Sequence, residues 1–217
     1  ALIVSLLVSG IGLAVTPVVY HGYKEEGTKE QISRFFTYYV AGILVLFCFL
    51  SLFARDILVM FTTEQYYGGY IVVPFLLLAF VFSHSYVFAP GLAIAKKTKT
   101  IAAINIVIAV LNSVLNILLI PRIGLIGAGV ATLTGAVLSF FLYVYWGQKN
   151  YRIPYRVRKI VPPLCLSVLV VFAMVWYQEE TTLLWRAVAF AALIVFDLAY
   201  LGVFEALRKL RGGRTRS

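Results

Sequence analysis

The chain has 217 residues, of which 62% are hydrophobic, 15% aromatic and only 13% charged, and it carries a formal net charge of +10. A soluble domain is roughly 45–50% apolar and about 25% charged, so a water-soluble fold of this length has too little interior for these side chains, and composition excludes that class. In so apolar a chain, the excess of cations is read first as a topology signal and not as a nucleic-acid footprint.

A helix needs about 20 apolar residues to cross roughly 30 Å of hydrocarbon. Seven runs are candidates, the sixth of them short: 1–19, 35–54, 70–94, 101–120, 125–147, 161–177 and 183–206. They are continuous, not alternating, which favours helices over a barrel. The expectation is an all-α integral membrane protein with seven transmembrane helices. The first run opens at Ala1 already apolar, without a charged, cleavable leader, so the chain is expected to begin inside a larger protein.

Between the first two runs, Thr28 and Gln31 form a T-x-x-Q pattern, predicting a capping box on a short surface helix that leads into span two. Lys24, Glu25 and Glu26 before it read as a solvated face. A short, almost uncharged outer loop is expected over 55–69. Span three holds Ser83, His84 and Ser85 near its middle, with Pro74 and Pro90 placed to kink the helix. His84 can titrate or hydrogen-bond a polar substrate, or serve as a structural hydrogen bonder.

Span four carries Asn105, Asn112 and Asn116. Offsets of 7 and 11 return to one helix face at about 100° per residue. Buried amides in hydrocarbon need partners, so this face looks into protein or water, as interhelical glue or as the polar wall of a transport cavity. The run then breaks at Pro121-Arg122-Ile123-Gly124. Pro121 is expected to end span four, because it lacks a backbone donor, and Gly124 to let the chain reverse, making spans four and five antiparallel neighbours. Gly127, Ala131, Gly135 and Ser139 recur every fourth position, as do Gly124, Ala128, Thr132 and Ala136. Small residues at that spacing let helix backbones approach closely in lipid. They are not a dinucleotide fingerprint, since GxGxxG fails at Thr132 and no strand precedes it.

Asp197 in span seven is the one acid deep inside a span, and it must be neutral or partnered there. Cys48 and Cys165 lie in apolar runs without metal-ligand spacing and read as free thiols acting as small hydrophobes. No nucleophile–base set, HExxH, P-loop or GxSxG is present, so neither an enzyme nor a resident cofactor or metal is expected.

The cations test the layout. Lys24, Lys29 and Arg34 follow span one; Lys96, Lys97 and Lys99 follow span three; Lys149, Arg152, Arg156, Arg158 and Lys159 follow span five. Arg208, Lys209, Arg211, Arg214 and Arg216 form the tail. The intervening connections hold only Arg55, Arg122 and Arg186. Sixteen cations against three place the rich side in the cytoplasm, with Ala1 outside and Ser217 inside. Tyr143, Tyr145 and Trp146 at the inner end of span five, and Trp176, Tyr177 and Trp185 at the outer ends of spans six and seven, suit the two interfaces.

The segments FAPGLAIAKKTKT, NSVLNILLIPRIGLIGAGVATL and KNYRIPYRVRK, in that order, resemble the C-terminal half of a polysaccharide flippase, O-antigen type, of the multidrug/oligosaccharidyl-lipid/polysaccharide exporter superfamily. The hairpin pattern N-x-x-L-I-P-x-x-G-x-x-G-A is met by Asn116, Ile120, Pro121, Gly124, Gly127 and Ala128. The likeness is concentrated over 60–150, while 151–217 shares only hydropathy. It implies a division into 1–150, the C-terminal transport bundle, and 151–217, two additional helices with a basic cytoplasmic tail. It further implies that spans one, three and four line a cavity, making His84, Asn105, Asn112 and Asn116 substrate-cavity candidates. Lys96, Lys97 and Lys99 become head-group contacts at the inner mouth, and Gly124, Gly127, Ala131 and Gly135 helix-packing positions. One departure is the absence of any basic residue in the middle of spans one, three and four, where relatives moving lipid pyrophosphates often place one.

The implied function is alternating-access transport of undecaprenyl-diphosphate-linked oligosaccharide for polysaccharide (O-antigen, lipopolysaccharide) biosynthesis. The implied setting is a multi-pass protein of the bacterial inner membrane. Its partners are membrane lipids, the lipid-linked sugar and the missing N-terminal half, and no nucleic acid is expected. An ion-coupled multidrug exporter of the same superfamily is the alternative, with a membrane glycan polymerase or ligase behind it.

Overall fold

A computed structural model of the chain describes residue 25, residues 27–178 and residues 181–202. The expected span 1–19, the end of the expected span 183–206 and the basic tail lie wholly or partly outside the described residues. The described chain is helical, without a strand: α1 (Thr28–Leu52), α2 (Ala54–Phe61), a 3-10 segment (Glu64–Val72), α3 (Val73–His84), a second 3-10 segment (Ser85–Phe88), α4 (Gly91–Ile94), α5 (Thr98–Asn150), α6 (Val157–Trp176) and α7 (Leu183–Tyr200). Five stretches, α1, 64–94, α5, α6 and α7, are long and apolar enough to cross a membrane, fewer than the expected seven. The reduction has two sources. Span 1–19 is not among the described residues, and the expected spans 101–120 and 125–147 fall in one element, α5.

α5 is not straight. Ile123 (φ −129°, ψ 17°) and Gly124 (φ 58°, ψ −134°) leave helical geometry, and the chain doubles back. The Tyr143 hydroxyl donates to Asn105 Oδ1 at 3.1 Å, although a straight helix would separate these residues by about 57 Å. A Cβ added at Gly135 would lie 3.5 Å from Asn112 Nδ2, and one at Gly127 would lie 2.6 Å from the Leu119 carbonyl carbon. The pairs 105/143, 112/135 and 119/127 close on residue 123, so the arms are antiparallel. The turn falls two residues beyond Pro121, which stays helical. Gly124 adopts a left-handed φ that a side chain would strain.

Side-chain pairs fix the remaining directions. Phe82 meets Phe140 at 5.4 Å and Tyr86 meets Tyr143 at 5.7 Å, while a Cβ on Gly129 would touch Phe75. Segment 73–94 therefore runs parallel to the second arm of α5. Tyr39 reaches the Val81 carbonyl, and Phe36 packs on Phe88, so α1 runs antiparallel to it. Arg186 reaches the Leu52 carbonyl and Phe49 meets Phe190, so α7 is antiparallel to α1. The order is up and down throughout.

α1 is the centre of the bundle: 56% of its most apolar stretch is buried, against 6% for α5. One apolar cluster joins Ile32, Tyr39, Val40 and Leu44 to Phe88, Ile153 and Ile160. The other joins Phe47, Cys48 and Leu52 to Leu78, Val171, Val175 and Leu193. The pair α6–α7 thus shares the core of α1.

Three local expectations need correction. Thr28 is the first residue of α1 and not its cap. Gly27 (φ 88°) holds that place with no side-chain cap, and the short helix and span two are one helix of 25 residues. The segment 55–69, expected as a loop, is largely helical: α2 exposes Val59, Met60 and Phe61, a short apolar edge suited to the headgroup zone. Pro74 opens α3 instead of kinking it. The break in span three comes at Ser85–Pro90. There the Tyr155 hydroxyl donates to the Phe88 carbonyl, and Phe88, Ala89 and Pro90 are buried. Irregular backbone at membrane depth is tolerated when protein covers it.

Candidate functional site

The break at 85–90 brings two glycines together. A Cβ on Gly91 would run into the Gly147 backbone, and one on Gly147 would lie 3.1 Å from the Ala89 carbonyl oxygen. This crossing places the connection holding Lys96, Lys97 and Lys99 beside the end of α5 holding Lys149. Ser33 Oγ donates to the Pro154 carbonyl at 2.8 Å, and Lys29 Nζ stands 5.1 Å above the Tyr151 ring. The start of α1 and the connection 151–156 therefore share that end. Ten described cations gather there: Lys29, Arg34, Lys96, Lys97, Lys99, Lys149, Arg152, Arg156, Arg158 and Lys159. Lys96 is held at φ 53°, and it is exposed with Lys97 and Lys99. Arg55, Arg122 and Arg186 lie at the opposite end. Burial pushes the Tyr155 phenol above its ordinary value, with Tyr151 adding to the shift, so it remains a donor to Phe88 at neutral pH.

The asparagine face turns toward the second arm. Asn105 bonds Tyr143, Asn112 packs over Gly135, and Asn116 Nδ2 donates to the Asn112 carbonyl at 2.9 Å and to its Oδ1 at 2.8 Å. The strip also keeps an open edge, since Asn105 is exposed and Asn112 and Asn116 are half-buried. His84 stands apart from it. Its Nδ1 bonds the Phe80 carbonyl at 2.9 Å, its ring lies 4.0 Å from that of Phe80, and it is half-buried. Of the packing positions, Gly124 makes the turn, Gly127 sits against Leu119, Ala131 is fully buried, and Gly135 has ordinary contact distances.

Two residues join this site that sequence reasoning did not place in it. Tyr143, read as an interfacial ring, links the arms through Asn105. Tyr86, exposed, packs its ring on Tyr143. Together they present an amide, a phenol and two ring faces near the basic end. Lys99 is six residues from Asn105, about 9 Å along the helix. The signal that could have found them is aromatic spacing: Phe82 and Tyr86 in span three, and Phe140 and Tyr143 in span five, each lie about one helical turn apart.

A second polar group lies at the opposite end and depth. Arg186 Nη1 pairs with Asp56 Oδ2 at 2.5 Å and reaches the Leu52 carbonyl at 3.3 Å. Gln178 Nε2 donates to the same carbonyl at 3.4 Å. Further along α7, Asp197 accepts from Ser167 Oγ at 2.8 Å. Cys48 and Cys165 are free. No cluster of His, Cys, Asp and Glu suited to a metal occurs among the described residues. No family model, curated protein or solved structure matches the chain.

Proposed function

We propose that this chain forms the C-terminal bundle of a flippase for lipid-linked oligosaccharide, with seven spans in a bacterial inner membrane and its basic end in the cytoplasm. The observation that carries the reading is the open cluster of Asn105, Tyr143 and Tyr86 beside the basic end. Ring faces and amides suit the apolar faces and hydroxyls of a sugar, and Lys96, Lys97 and Lys99 suit the diphosphate that precedes it. The lipid tail stays in the bilayer while the head group crosses along the open edge of the asparagine strip. The N-terminal half supplies the facing wall, and two bundles rock to alternate access. The protein breaks no bond; it lowers the free energy of moving sugar and phosphate through hydrocarbon.

The test is genetic and residue-level together. In a cell that assembles its surface polysaccharide on a lipid carrier, removing the gene is expected to trap the lipid-linked sugar on the inner leaflet. Asn105→Ala with Tyr143→Phe should lower surface polysaccharide at least several-fold at unchanged protein level. Unaltered surface polysaccharide after deletion overturns the proposal. The ion-coupled drug exporter is favoured by one observation, the buried Asp197, and would instead show itself as drug sensitivity in the deletion strain.

A further inference from the structure

The junction of α1, α6 and α7 buries a carboxyl group that no cation meets among the described residues. Asp197 is 1% exposed. Its Oδ2 accepts the Ser167 hydroxyl at 2.8 Å, and its Oδ1 is buried with no hydrogen-bond partner among the described residues. No neighbouring described element brings a charge up to it. α6 offers Ser167; its Cys165 is exposed, and its cations Arg158 and Lys159 are exposed eight or nine residues before Ser167, about 12 Å or more along the axis. α1 offers the Cys48 thiol, fully buried against the Ser167 hydroxyl. The charged residues of α1, namely Lys29, Glu30 and Arg34, lie 14 or more residues back, about 21 Å along the axis. On α7 itself, Arg186 is eleven residues away, about 16 Å, and already engaged with Asp56. Tyr200 is exposed and stacked on Phe196.

A carboxylate is held as an anion inside a protein by a cation or by two or three donated hydrogen bonds. Here one hydroxyl is offered, and hydrocarbon surrounds the bundle. An unpaired charge in such a place gives way to the neutral form. The geometry admits the neutral acid: Oδ2 accepts from Ser167 as a carbonyl oxygen would, which leaves Oδ1 as the oxygen to carry a proton.

We propose that Asp197 is a proton-binding site, the neutral acid in the folded bundle, releasing its proton to water when α7 separates from α1 and α6. The step is a simple dissociation, carboxylic acid to carboxylate plus a proton taken up by the water that enters the opened junction. It rests on neither functional reading above. It ties one proton to the docking of α7, so the folded state holds a proton that an exposed carboxyl would have lost. Linkage then requires bundle stability to fall as pH rises above the ordinary carboxylate range.

The deciding experiment is infrared spectroscopy of the 217-residue chain in lipid bilayers at neutral pH. Solvent-exposed acids are ionised there and give no protonated-carboxyl carbonyl band. The wild-type chain is expected to show that band, Asp197→Asn to lose it, and Ser167→Ala to keep it at higher frequency, because the carbonyl loses its hydrogen bond. Absence of the band in the wild type, or its survival in Asp197→Asn, overturns the proposal. Should Asp197→Asn not accumulate, an unshifted band in Ser167→Ala overturns it equally.

Discussion

The α5 hairpin and the α1–α6–α7 trio are both built from strongly apolar sequence, yet they treat polar residues in opposite ways. The hairpin keeps its amides at an edge: Asn105 is open and Asn112 and Asn116 are half-covered. The trio closes over its polar groups, with Ser167, Gln178, Arg186 and Asp197 all buried. Backbone contact follows the same division. The hairpin meets its neighbour 85–94 through Gly91 on Gly147, and its own arms meet through Gly127 on Leu119. The trio meets through full side chains such as Leu52, Val171, Val175 and Leu193. A membrane bundle can thus hold polar groups either as internal fasteners or as a surface kept ready for something else, and burial separates the two uses.

The comparison is broken most severely at the glycine crossing. Gly91→Val would force two methyls and a Cβ into the Gly147 backbone. The expected result is loss of the folded bundle or a drop in thermal midpoint corresponding to more than about 3 kcal/mol, the upper range for overpacking; near-wild-type unfolding in detergent would undo the close-approach argument. In the trio, Asp56→Ala leaves the Arg186 guanidinium buried with only the Leu52 carbonyl. A fully buried pair broken this way costs about 3–5 kcal/mol. Because the Asp56 side chain is 44% exposed, solvent screening reduces the expectation to about 1–2 kcal/mol, measured by the same unfolding assay. The smallest effect is expected at Gly135→Ala, where the new methyl meets Asn112 Nδ2 at 3.5 Å, an ordinary contact. Its stability should stay within about 0.5 kcal/mol of wild type, and a large loss there would mean that the arms are closer than described.

Much of the architecture was legible because a bilayer demands apolar runs of a set length and sorts cations by side. The reversal at residues 121–124 could be read from a proline and a glycine a few residues apart. What was lost lay in short elements and in partners. α2 and the 3-10 segment 64–72 are too brief and too mixed in character to separate from a loop. The break in span three was expected as proline kinks, yet it spreads over Ser85–Pro90 because Tyr155, 65 positions beyond Pro90, arrives to bond Phe88. Helical spacing placed Asn105, Asn112 and Asn116 on one face correctly as a matter of geometry. It carried no information on what that face meets, because Tyr143 comes into register only once the hairpin has closed.

The turn at Ile123–Gly124 also bears on how the chain enters its membrane. Two non-helical residues reach at most about 7 Å, far short of the roughly 30 Å hydrocarbon layer, so the second arm has no slack with which to wait in water for the first. The pair must partition as one wedge. Between Lys99 and Lys149 the only charged side chain is Arg122 at its tip. A single cation, worth about 2.5–3.5 kcal/mol at mid-bilayer on an insertion scale, is therefore the whole electrostatic barrier to threading two crossings at once.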